Sequence, residues 1–198
     1  MKKSSIVFVC FFLGTLLMLQ PFTGKTESSN SFNTYPNLPA PIGKEKILLT
    51  SAGQAPENMI LAKIAEELHL EGDYRPRALA SDLYDYNTLV IAVGSSANGL
   101  KYKSRTFSEE KQRTRLLLEE AEHMNVPVII MHITGDKRED RHTSELLEIT
   151  APFADYFIGL KTFSRKHQMI DLLQASHVPI TLVNELDDIN TPFNSAFR

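Results

Sequence analysis

The chain has 198 residues, 42% hydrophobic and 23% charged, the make-up of a protein with one globular core. Its formal net charge is -3, and more negative still once Lys2 and Lys3 are set aside, which argues against a sequence-independent nucleic-acid binder. The single cysteine, Cys10, lies inside an apolar N-terminal run, so everything beyond that run lacks a thiol, a disulfide and a cysteine metal site.

In that N-terminal run Lys2 and Lys3 precede IVFVCFFLGTLLMLQPF, and no acidic residue occurs before Glu27. A basic start and a short, wholly apolar stretch form a secretory h-region. The stretch is just short of the roughly 20 residues that span a bilayer. Residues 1–24 therefore read as a signal peptide, or as an N-terminal membrane anchor if no cut is made, since PFTG before Lys25 lacks the small residue wanted three places before a cleavage site. Either way the domain is expected outside the cytoplasm, with the membrane touched only through this segment. Residues 25–43, KTESSNSFNTYPNLPAPIG, carry Ser, Asn and Pro without apolar periodicity and read as a flexible tether. The remainder, 44–198, reads as one domain.

Within it, KILLT (46–50) is a short strand that stops at the turn-like SAGQAP. Pro56 suits the first helical position and Glu57 the first turn; Ile60, Leu61, Ile64 and Leu68 then share one face, predicting a helix over 56–69. DYRPRAL is a weaker strand placed at an edge by Pro76. TLVIAVG (88–94) is a continuous branched run, as in a strand buried on both faces. A long helix is expected over 107–124, with a capping box from Thr106 to Glu109 and a face of Leu117, Ala121 and Met124. VPVIIMHI (126–133), DYFIGL (155–160) and PITLV (179–183) are further strands, separated by helices near 143–152 and 165–176. A last helix is expected from Thr191, with Pro192 as its first residue. Strict alternation calls for an α/β fold, a three-layer, doubly wound, mostly parallel sheet of about six strands, flavodoxin- or Rossmann-like; analogy with flavodoxin-like sheets gives the expected order 2-1-3-4-5-6.

Ligands of such sheets sit outside the carboxyl ends of the strands. The loops there are SAGQ (51–54), GSSANGLKYKSRT (94–106), the stretch MHITGDKREDRH (131–142), KTFSRKH (161–167) and Asn184-Glu185. They gather Lys101, Lys103, Arg105, Lys137, Arg138, Arg141, Lys161, Arg165 and Lys166 against Asp136, Glu139 and Asp140, a locally basic rim on an acidic domain. That chemistry suits an anion: Arg138 and Arg141 offer bidentate hydrogen bonds, Gly94 and Gly99 let the backbone approach closely, and Ser51, Gly53, Gln54, Ser95, Ser96 and Gly135 are further candidate ligand-binding residues. His132, at the end of a buried strand, is the candidate acid or base. His132, Asp136, Asp140 and His142 could gather round a metal, but Gly135 breaks any shared helical face and no metal motif is matched, so no metal is assigned. GSSANG is neither a phosphate loop nor a dinucleotide fingerprint, no G-x-S-x-G elbow is present, and no cofactor is specified.

The stretches LLTSAGQAPENMILAKI, VIAVGSSANGL, VPVIIMHITGDKREDRHTSELL, ADYFIGL and VPITLV resemble, in this order, a bacterial family of exported α/β proteins known as domain of unknown function 6305. In that family the histidine is followed by two glycines, an acid, paired arginines and Ser-Asp. Here Thr134 and Gly135 take the glycine places, Asp136 the acid's, Arg138 one arginine's and Ser144-Glu145 that of Ser-Asp. The resemblance implies a fold and a location but no reaction. The expected function is an extracytoplasmic binding module for a small phosphate- or carboxylate-bearing anion. The alternatives are a hydrolase or transferase using His132, and a structural or protein-interaction role.

Overall fold

The computed structural model describes residues 36–102, 106–162 and 166–198. The expected signal or anchor segment lies outside the described residues, as do Lys103, Arg105 and Arg165 of the rim. Among the described residues no helix is long and apolar enough to cross a membrane.

Six strands, β1 (Ile47–Ala52), β2 (Gly72–Tyr74), β3 (Thr88–Val93), β4 (Val128–His132), β5 (Tyr156–Leu160) and β6 (Ile180–Val183), form one sheet. Every neighbouring pair is parallel, as expected from the alternation, and the order is β2-β1-β3-β4-β5-β6, as expected from the flavodoxin-like analogy. The helices are α1 (Ile60–Glu67), α2 (Ala97–Tyr102), α3 (Phe107–His123), α4 (Arg141–Thr150), α5 (Lys166–Ala175) and α6 (Asn190–Ser195). They cover both faces of the sheet. Because strand side chains alternate, Leu48, Leu89, Ile91, Ile130 and Phe157 pack with α3, α4 and α5, while Leu49, Val90, Ile129, Met131 and Ile158 pack with α1 and α6.

Several boundaries move for identifiable reasons. β1 runs two residues past Thr50 because Ser51 and Ala52 stay in register with Ala92 and Val93 of β3. The helix expected from Pro56 opens as a 3-10 turn, Pro56–Met59, in which Asn58 turns inward and its amide donates to the Ser51 hydroxyl (2.8 Å) and the Ala92 carbonyl (2.9 Å). β2 ends at Tyr74, since Pro76 has no N–H to continue the ladder and the chain turns with Ala78 N–H on the Arg75 carbonyl. Part of the loop expected over 94–106 is the short helix α2. α6 begins at Asn190, so Pro192 is its third residue, still within the turn whose N–H groups need no helical partner.

The described end of the expected tether, 36–43, lies against the domain. Leu38 is buried and its N–H donates to Ser195 Oγ (3.0 Å), while the N–H groups of Ile42 and Gly43 both reach the Ala196 carbonyl. Leu38 and Ile42 join the core beneath α1 and α6, which outweighs the polar composition of the residues around them.

Candidate functional site

The loops after β1 and β3 meet face to face. Gly94 N–H donates to the Ala52 carbonyl, Ala55 N–H to the Gly94 carbonyl and Ser96 N–H to the Gly53 carbonyl, and Gln54 and Ser95 form an isolated antiparallel bridge. A β-carbon on Gly99 would lie 2.2 Å from the Gln54 carbonyl oxygen, and one on Gly94 3.1 Å from the Ala55 methyl. These glycines therefore serve the approach of one loop to the other. Beneath them Glu110 of α3 is fully buried; its Oε1 accepts from Gly53 N–H (3.0 Å), Gln54 Nε2 (2.9 Å) and Arg113 Nη2 (2.8 Å). Arg113 in turn donates to the carbonyls of Ala78 (2.8 Å) and Ser51, and Gln54 to that of Pro76 (2.8 Å). Burial pushes the Glu110 carboxyl up, but Arg113, Gln54 and the Gly53 amide outweigh it and hold the group below its ordinary value. Ser95 N–H reaches Thr143 Oγ1 (2.9 Å), and the Ser96 hydroxyl accepts from Gly99 N–H (3.1 Å). Ser51, Gly53, Gln54, Gly94, Ser95, Ser96 and Gly99 thus lie together at the strand ends, as the sequence suggested. Their polar contacts close the crevice between β1 and β3 instead of lining it.

His132 is fully buried and points, by alternation with Met131 and Ile133, toward the α3–α5 face. Its Nδ1 lies 3.0 Å from the Val93 carbonyl, which makes Nδ1 the protonated nitrogen of a neutral ring. Burial pushes its pKa down, against the opposing pull of the Val93 and Gly135 backbone, Glu139 and Asp136. A neutral, enclosed ring on this face is a positioned core histidine, and the acid/base role expected of it gains no support from the geometry.

The two arginines have partners. Arg138 forms a forked pair with Glu57 at 2.7, 3.0 and 3.2 Å, tying the segment after β4 to the turn that opens α1. Burial raises Glu57, but Arg138 and the nearby Lys137 prevail and hold it below its usual range. Arg141 donates to Glu145 (2.9 Å), one turn along α4, and Glu145 also accepts from Lys111 (2.8 Å). With both partners of the Glu57–Arg138 pair partly exposed, Arg138→Ala is expected to lower stability by only about 0.5–1 kcal/mol, measured by denaturant unfolding. Gly135, with φ of 50°, begins the 3-10 turn Gly135–Arg138 that carries Lys137 and Arg138 outward.

Between these elements lies a pocket of about 560 Å³ at the carboxyl ends of β4, β5 and β6. Its apolar wall is Pro56, Ile60, Ile133, Leu160 and Leu186; its polar residues are Glu57, Thr134, Gly135, Asp136, Lys137 and Thr162. Of the site residues expected from sequence only Gly135 lines it, and His132 does not. Lys137 is exposed and forms no ion pair among the described residues. Ile133 and Leu160 were the legible part of the wall, being the last residues of their runs on the α1 face. Ile60 and Leu186 come from segments whose approach sequence periodicity does not register. Among the described residues no group of three or more His, Cys, Asp or Glu is placed to hold a metal ion.

Fold and pocket together define a doubly wound α/β domain with a ligand-sized recess at its strand ends. Residues 44–197 match the family described as Domain of unknown function (DUF6305), and the chain belongs to that family. No curated protein sequence matches it. Among solved structures a mutant of the esterase AlinE4 is similar, with a TM-score of 0.32 and 12% identity over 61% of this chain and 76% of that one.

Proposed function

We propose that the domain is an extracytoplasmic binding module that holds a small phosphate- or carboxylate-bearing ligand at the carboxyl ends of its strands. The observation that carries this reading is the pocket of about 560 Å³ between the start of α1 and the ends of β4, β5 and β6, with Lys137 on its wall. Its size falls in the range of pockets that take small molecules, roughly 300–1,000 Å³. Lys137 supplies the positive charge, since Arg138 and Arg141 are already paired with Glu57 and Glu145. Placement outside the cytoplasm is supported by the basic start and apolar run of residues 1–24.

The test is a thermal-shift screen of the purified full chain against phosphate esters, nucleotides and carboxylates. A ligand at 100 times its dissociation constant stabilises by roughly 2.7 kcal/mol, a shift readily seen. A hit that Lys137→Ala weakens, with the variant as stable as wild type when ligand-free, supports the reading. A panel without a single hit overturns it and leaves the interaction role.

A further inference from the structure

We infer that the ligand of this pocket is an aliphatic monocarboxylate, its chain against Ile60, Ile133, Leu160 and Leu186 and its carboxylate at Lys137. The inference rests on the reading above that the pocket holds a small anion, and it narrows that anion by two features of the wall. The first is its apolar character. Ile60, Leu160 and Leu186 are only partly buried and face a common recess with Ile133, so an apolar body can complete their burial. Among the described residues no aromatic side chain lines the recess, so their wall offers nothing for stacking a ring or a base and suits a flexible aliphatic body.

The second feature is the charge available. Of the cations on this side, Arg138 is held in its forked pair with Glu57, which leaves Lys137 as the lining cation without an ion pair among the described residues. One ammonium balances one negative charge. A phosphate monoester carries about 1.5 to 2 negative charges at neutral pH, more than this one ammonium balances, whereas a carboxylate carries a single charge. The head group is thereby distinguished from phosphate, and the body from a merely small anion.

Isothermal titration of the full chain with butanoate, hexanoate, octanoate, octyl phosphate, 1-octanol and inorganic phosphate tests this. Affinity is expected to tighten about two- to four-fold per added methylene from butanoate to octanoate, the scale set by burying a methylene. Octanoate should bind several-fold more tightly than octyl phosphate or 1-octanol, Lys137→Ala should remove its advantage over 1-octanol, and Leu186→Asp should abolish its binding. Inorganic phosphate or butanoate binding at Lys137 as tightly as octanoate would overturn the aliphatic ligand while leaving the anion-binding module standing. Octyl phosphate binding more tightly than octanoate would overturn the carboxylate alone. Equal binding of 1-octanol and octanoate, or no binding by any anion, would overturn the anion reading and this inference with it.

Discussion

Glu110→Ala is expected to be the most damaging single substitution in the domain, lowering stability by about 3–5 kcal/mol, the usual cost of removing one partner from a buried ion pair. The reason is the set of donors that converge on this carboxylate. Without it the Arg113 guanidinium remains buried with its charge uncompensated, and Gly53 N–H and Gln54 Nε2 lose an acceptor in the same place. In a chain of this length such a loss lowers the melting temperature by about 6–20 °C. Replacing the pair together, Glu110→Leu with Arg113→Met, should cost much less than the sum of the single changes, because the desolvation of both charges disappears with them. Denaturant melts of the three variants would measure the coupling; simple additivity would show that the pair does not act as a unit.

The same carboxylate gives a pH dependence whose sign is fixed. Its folded pKa lies below the ordinary value, so the unfolded chain binds the proton more readily. The stabilisation is complete above the unfolded value, about 4.3, and is lost as pH falls through the lower folded value. His132 acts in the same direction at higher pH: its folded pKa is depressed, so stability begins to fall once the unfolded imidazole protonates, below about 6.5.

The parts of this fold that follow from local pattern were legible. TLVIAVG reads as a buried strand because every position is apolar or branched, and Thr106 with Glu109 forms the capping box its spacing announces. The parallel sheet followed from alternation, and its strand order from analogy with flavodoxin-like sheets. What local pattern does not carry is the partner of a charge. Glu110, Arg113 and Thr114 continue the buried stripe of Leu117, Leu118 and Ala121 at helical spacing, yet an acid and a base three residues apart read as a solvated face. Their burial is set by the amide of Gly53 and the carbonyls of Ser51 and Ala78, which come from other elements. Likewise Arg138 and Glu57 are 81 residues apart, and nothing near either announces the pair. The basic rim was therefore visible as composition, whereas its neutralisation at Arg138 and Arg141 was not. The strand-end rule selected the loops after several strands alike, including the stretch 131–142 after β4. Ile133 to Lys137 of that stretch line the recess, whereas the loops after β1 and β3 are closed on each other by backbone bonds.

Gly53→Ala separates these two regions by experiment. Gly53 has φ of 97°, a conformation that costs a residue with a side chain about 1–2 kcal/mol, and its added β-carbon would lie 2.5 Å from the Gly94 carbonyl oxygen and 2.8 Å from Leu146 Cδ1. The Gly94 oxygen belongs to backbone held by β3, so it cannot yield as a side-chain tip would, and overpacking of this kind adds about 1–3 kcal/mol. A total loss of about 2–5 kcal/mol is expected, read as a fall of about 4–20 °C in melting temperature. The fraction that remains folded should bind a pocket ligand as the wild type does, because Gly53 touches the loop after β3 and not the recess. Lys137→Ala should show the opposite pattern, unchanged stability with weakened binding. A Gly53→Ala protein of near-normal stability that had lost binding would return the ligand to the β1–β3 crevice, with the glycine there to let it approach the backbone.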